Sequence, residues 1–298
     1  MPGSQFVERP SCPLRKADEL TARADAERRA PSNREYAVDL MRAFGGAVIF
    51  AFPLLMTMEM WWLGFYIDPL RLLVFLTLNL VILFGLSCFA GFRKTFHLKE
   101  DALDAFAAYG VGTICSAALL ALFGIITWDM PLSEIVGKIA VQAVPASVGA
   151  MAARSQLGDN EEEEEKAADG YAGQLFLMLA GALFLAFNVA PTEEMILISF
   201  LMTPWHGLAL VVVSILALHA FVYSLDFSGQ EELPGDGGFW RTFFGYSIAG
   251  YGIALLVSVY VLWTFGRLDG VGMGQVAMMT AVLGFPSALG AALARLVV

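Results

Sequence analysis

YAVDLMRAFGGAVIFAFPLLMTMEMWWLGFYIDP (residues 36–69) and YAGQLFLMLAGALFLAFNVAPTEEMILISFLMTP (residues 171–204) are one stretch written twice. A shift of 135 positions aligns them without a gap. Tyr36/Tyr171, Leu40/Leu175, Gly46/Gly181, Ala47/Ala182, Ala51/Ala186, Phe52/Phe187, Thr57/Thr192, Glu59/Glu194, Met60/Met195, Phe65/Phe200 and Pro69/Pro204 are identical pairs. Apolar matches come easily in hydrophobic segments, where few residue types are used. A matched Thr-x-Glu-Met does not, because a carboxylate inside hydrocarbon costs several kcal/mol. The pairing therefore marks two glutamates as deliberate.

The rest of the chain agrees with a membrane setting. It is 58% hydrophobic and 15% charged, with a mean hydropathy of +0.67. Several apolar runs approach the ~20 residues needed to cross a bilayer. Residues 1–35 are polar and lack a short apolar core, so the first span is expected to act as an uncleaved signal anchor. The net charge of −10 says little about partners, since much of it sits in the Asp159–Glu165 run and the 226–236 loop. Acidic runs of this kind are ordinarily solvated linkers. The lipid bilayer is the expected partner and nucleic acid is not. Cys12, Cys88 and Cys115 show no paired spacing, hence no disulfide framework or metal motif.

Hydropathy and helix breakers predict eight spans in an all-α, polytopic fold. The apolar stretches run from about Val38 to Phe65, Leu70 to Gly91, Ala105 to Thr127, Leu132 to Ala153, Ala172 to Thr203, Trp205 to Leu225, Thr242 to Phe265 and Gly274 to Val297. The fourth is the weakest by hydropathy, but Pro145–Arg154 matches Pro286–Arg295 at an offset of 141, and Tyr109-Gly110 echoes Tyr251-Gly252. The predicted organisation is a disordered cytoplasmic tail (1–35), a first four-helix repeat (36–157), an acidic linker (158–170) and a second four-helix repeat (171–298). An even number of spans per unit makes the two repeats parallel, related by an axis along the membrane normal. Arg9, Arg15, Lys16, Arg23, Arg28, Arg29 and Arg34 share a side with Arg93, Lys94, Lys99, Arg154, Lys166, Arg241 and Arg295, against little more than Arg71 and Arg267 opposite. That asymmetry predicts cytoplasmic termini.

Glu59 and Glu194 lie about nine or ten residues before Pro69 and Pro204, which at ~1.5 Å per residue is ~14 Å below the outer surface. Intramembrane carboxylates of this kind mark ion paths, so both are expected to bind a small cation or a proton where the repeats meet. The competing reading is structural: hydrogen-bonded glutamates that lock the repeats together. Thr57 accompanies the first carboxylate. The second has a richer setting, with Asn188, Pro191, Thr192 and Glu193. Asn188 and Thr192 share a helix face, with Glu194 elsewhere on the circle. Pro191 removes a backbone donor and frees a carbonyl one turn back, near Phe187 or Asn188. Broken helices with free carbonyls and carboxylates are how many transporters hold a cation, and hard cations want such oxygens. The first stretch has Pro53 for Asn188 and Met58 for Glu193, so the second site is expected to be the principal one.

Phe187-Asn188-Val189-Ala190-Pro191-Thr192-Glu193-Glu194, together with the eight-span pattern, resembles a bacterial family of integral membrane proteins of unknown function. The resemblance covers most of the chain beyond the tail. It implies a multi-pass protein of the bacterial inner membrane and carries no mechanism.

Lesser candidates complete the reading. Asn79 and Ser214 occupy matching positions near mid-membrane and are expected to make interhelical hydrogen bonds. His219, with Tyr223 one turn on, is a candidate relay to Glu194, or else a packed histidine. Glu134 and Lys138, at i and i+4, are expected to neutralise each other. Gly149 and Gly290 read as close-packing positions. No phosphate loop, metal set or nucleophile elbow appears. The expectation is thus a secondary transporter or channel for a small cation, not an enzyme, needing no cofactor; the alternative is a scaffold or sensor whose buried glutamates pair the repeats.

Overall fold

In hydrocarbon every backbone polar group must be satisfied within the chain, so apolar runs of this length become helices. The computed structural model describes residues 33–89, 98–156, 171–224, 240 and 243–297. The predicted tail and acidic linker lie outside these residues apart from the start of the first helix. Among these residues ten α-helices follow one another: α1 Asn33–Leu55, α2 Met58–Tyr66, α3 Pro69–Phe89, α4 Leu98–Leu122, α5 Leu132–Gln156, α6 Tyr171–Val189, α7 Glu193–Leu201, α8 Pro204–Ser224, α9 Ala249–Thr264 and α10 Met273–Val297. A π-helical turn, Phe243–Ile248, leads into α9. Eight helical segments are long and apolar enough to span a bilayer, including Leu132–Ala153. That fourth span was the weakest by hydropathy because it is the most enclosed: 72% of its window is buried, against 22% for Pro204–Val222. A helix wrapped by others need not be greasy all round.

Residues 41–298 form one contact unit, and the residues up to Leu40 form another. Within the larger unit, α5 carries α2, α3 and α4, while α10 carries α6, α7, α8 and α9. Glycines set the closest approaches. A Cβ on Gly46 would lie 2.2 Å from the Gly149 carbonyl oxygen, and one on Gly181 would lie 2.2 Å from that of Gly290. Backbones in direct contact are the membrane substitute for a hydrophobic driving force.

The first four spans meet the last four mainly through α3 against α6 and α9, and α5 against α6. Phe75 of α3 sits edge-on to Phe187 and to Phe265, with centroids 5.4 and 5.8 Å away. Buried polar residues tie helices together. Asn79 Nδ2 donates to Ser147 Oγ at 2.9 Å, joining α3 to α5. Ser214 instead donates to Leu210 of its own helix. Lys138 and Glu134 pair at 2.6 Å, largely buried.

Candidate functional site

The matched stretches share a break that hydropathy could not show. Each was expected to be one span by hydropathy, with an interruption foreseen only at Pro191 in the second. Instead α1 stops at Leu55 and α2 begins at Met58, while α6 stops at Val189 and α7 begins at Glu193. Thr57 and Thr192 stand at the start of the short helices in extended conformation. Neither caps with its side chain. Each hydroxyl turns back to the helix just ended: Thr57 Oγ1 to Leu54 O at 2.7 Å, and Thr192 Oγ1 to Val189 O at 2.8 Å. The backbone N–H of each reaches the same carbonyl at 3.1 Å. Threonine offers the chain a local alternative to the helical ladder. Pro191 is therefore not the general cause of the break, since Met56 holds its place in the first stretch. The threonine is the shared element.

Depth follows from the glycine contacts. Gly181 faces Gly290 on antiparallel α10. Val189, about 12 Å further on, comes level with about Val282, near the middle of the Met273–Ala294 span. Gly46 faces Gly149; Leu55, about 14 Å on, comes level with about Ala140 in the Leu132–Ala153 span. Gln142 Nε2 donates to Ala51 O at 2.7 Å in the same layer.

The predicted residues are distributed unevenly around these breaks. Glu59, one residue into α2, is half-buried; Glu193 and Glu194, opening α7, are exposed on the surface of this chain. Carboxylates in the first turn suit the positive end of a helix. No hydrogen bond or ion pair reaches Glu59, Glu193 or Glu194 from the other described residues. The short helices pack mainly within their own sets of spans, α2 on α5 and α7 on α10, whereas α3, α6 and α9 make the main contacts between the two sets. Asn188 Nδ2 donates to Phe184 O at 2.7 Å, and its Oδ1 is shielded and has no partner among the described residues. His219 meets Ser247 Oγ at 2.8 Å and the Phe243 ring, partners on the π-helical turn and not on α7.

Sequence reasoning missed Arg267, which had counted only as an outer charge. Its guanidinium Nη2 donates to the Pro191 carbonyl, while its Nε is shielded and has no partner among the described residues. One carbonyl of the second break is thus already held by a cation belonging to the chain. At the first break the equivalent service is neutral: the Trp61 indole donates to Leu55 O at 2.8 Å. The only sequence signal for Arg267 was its mismatch with Ile125 in the corresponding loop. The two turns are otherwise alike, with Gly124 and Gly266 at φ +69° and +70° and with Ile125 N and Arg267 N each 2.9 Å from Leu120 O and Leu262 O.

Arg267 belongs to the loop 265–272, whose other charged residue is anchored. Asp269 takes a bidentate pair from Arg71 of α3, at 2.8 and 2.7 Å. The Arg71 guanidinium also lies over Trp263, 5.3 Å from the ring centroid. Hydrogen bonding from Arg71 holds the Asp269 carboxyl below the ordinary carboxylate range.

Eight candidate spans among the described residues and their apolar outer faces define a multi-pass helical integral membrane protein. The family described as "Putative integral membrane protein (DUF2391)" matches residues 39–298, and the chain belongs to that family. No curated protein and no solved structure matches.

Proposed function

We propose that the protein conducts or exchanges a small cation across the bilayer, the proton fitting its residues best, with Glu194 as the principal group and Glu59 as its weaker counterpart. The observation that carries this reading is the coincidence, in both matched stretches, of a helix discontinuity at mid-depth with a Thr-x-Glu sequence. Non-helical backbone at membrane depth is tolerated only where it is buried in protein or lines a water-filled cavity. A carboxyl there with no ion-pair partner among the described residues can change its charge state without breaking an internal bond. Glu193, Asn188 and Thr192 add oxygens at the second break. Two carboxylates, one amide and one hydroxyl offer at most about six oxygens, the lower end of what a calcium site takes, whereas a proton needs only one of them.

The same proposal takes the eight spans as two parallel four-helix repeats in the bacterial inner membrane, with both termini cytoplasmic. The corresponding threonine turns, glycine contacts and loop turns support the repeat. The scaffold alternative loses ground, because it needs the glutamates buried against each other.

The test is proton and cation flux in proteoliposomes carrying purified wild type, Glu194→Gln or Glu59→Gln. Glu194→Gln should lower flux more than about tenfold and flatten its pH dependence, as expected when an intramembrane ionisable group leaves an ion path. Glu59→Gln should lower it less. Equal flux in wild type and a folded double variant would refute the reading.

A further inference from the structure

The loop 265–272 touches both a helix of the first four spans and the break between α6 and α7. Through Asp269 it is held by Arg71, on a helix of the first four spans. Two residues earlier, through Arg267, it holds the Pro191 carbonyl in the break between α6 and α7. Three observations say the loop is built for this. Gly266 adopts φ +70°, where L side chains rarely go, and a Cβ there would come within 3.3 Å of the Arg71 guanidinium. Gly270 closes the same segment at φ +71°. The bidentate fork of Arg71 fixes orientation as well as charge, which a single-point contact would not do. The corresponding loop of the first four spans has the same turn but carries Ile125, so this grip is not a by-product of the turn.

We propose that residues 265–272 form a strap that couples the first four spans to the break beside Glu193 and Glu194, with Arg71 and Arg267 as positioning residues. Arg267 is a tethered cation on the break's carbonyl. Consecutive Cα atoms lie about 3.8 Å apart, so the Glu193 backbone is within two residues of the atom Arg267 grips. While Arg71 holds Asp269, Arg267 stays on Pro191 and the break stays closed. When the first four spans move relative to the last four, the Arg71 clasp lets go and Arg267 is free to leave. The strap stands on these contacts whether or not ions move through the protein, which separates it from the transport reading.

The experiment reads the break directly. Ala190 is fully buried at the break. The full chain, with Cys12, Cys88 and Cys115 replaced by Ser and Ala190→Cys introduced, is reconstituted in nanodiscs and labelled with a membrane-impermeant maleimide. Asp269→Asn and Arg267→Gln should each raise the labelling rate at least about threefold, a change on the scale of one exposed ion pair. The exchange Arg71→Asp with Asp269→Arg should bring the rate back towards the parent's. Arg71→Lys, which keeps the charge and loses the fork, should fall between the two and serves if Asp269→Asn does not fold. Unchanged labelling in folded Arg267→Gln and Arg71→Lys proteins, or an exchange that restores nothing, overturns the strap. Proteoliposome flux on the same proteins is a separate arm. A strap that answers in labelling without flux leaves this inference standing and removes the transport reading.

Discussion

The two breaks use the same threonine to interrupt a helix but settle the freed carbonyls differently. At the first, Trp61 reaches six residues back to Leu55 O, so the whole arrangement is local and neutral. At the second, the donor is Arg267, from a loop 76 residues away in sequence. A local neutral donor makes a fixed bend. A remote charged donor makes a bend whose state depends on another part of the molecule. The electrostatic settings differ accordingly. The first has one carboxylate, half-buried, on a short helix whose Gly64 packs against Lys138 of the enclosed Lys138–Glu134 pair. The second has two exposed carboxylates, an arginine and an asparagine oxygen without a partner among the described residues. The corresponding positions for Glu134 and Lys138 are Gln275 and Met279, and Gln275 Nε2 donates to Ser199 Oγ at 2.7 Å. Each set of spans thus carries one cation near its short helix, supplied from a different element.

The sharpest way to break the comparison is to disturb the glycine contacts on which both breaks stand. Gly46→Val and Gly181→Val each force a side chain into a neighbouring backbone, and a loss of about 3 kcal/mol or more is expected, at the upper end of overpacking costs. Thermal unfolding in detergent measures it, with Gly252→Ala in open space as the control. Equal damage keeps the two supports equivalent; damage at one alone would end the parallel.

Next in size is the enclosed ion pair. Lys138→Met leaves Glu134 in a largely buried place without its partner, at a cost of about 3 kcal/mol. Adding Glu134→Gln gives the first spans the Gln and Met of the second and should recover most of that loss in the same unfolding measurement. Failure to recover would mean that the pair does more in the first four spans than neutralise itself.

The smallest effect belongs to Arg71 and Asp269. Because the native carboxyl titrates below its unfolded value of about 3.9, the pair stabilises the fold fully above that pH. The contribution is lost as pH falls through the depressed native value. Asp269 is 60% exposed, so the contribution is under about 1 kcal/mol. The stability difference between wild type and Asp269→Asn should therefore be constant from pH 7 to about pH 5 and vanish in stronger acid. A difference that grew in acid would mean that Asp269 stabilises through its protonated form.

The sequence by itself determined the membrane class and the eight candidate spans, and it marked the two matched stretches in which the helices break. Bilayer hydrocarbon enforces helix on any apolar run, so span number follows from local composition. A repeated Thr-x-Glu stands out wherever carboxylates are costly. Asn79 was legible as an interhelical donor for the same reason: a buried amide needs a partner. Tertiary structure decided the rest. The apolar stretch from Val38 to Phe65 reads as continuous, because hydropathy sums side chains and takes no account of which carbonyl each N–H finds. The Thr57 turn changes those partners without changing the polarity of the run. How α2 sits on α5 is set by Gly64 and Gly137, where the two backbones touch, and hydropathy carries no record of that contact. Arg267 was invisible as a site residue because its partner, the Pro191 carbonyl, is a backbone atom that every residue possesses. Only packing could say which one it would hold.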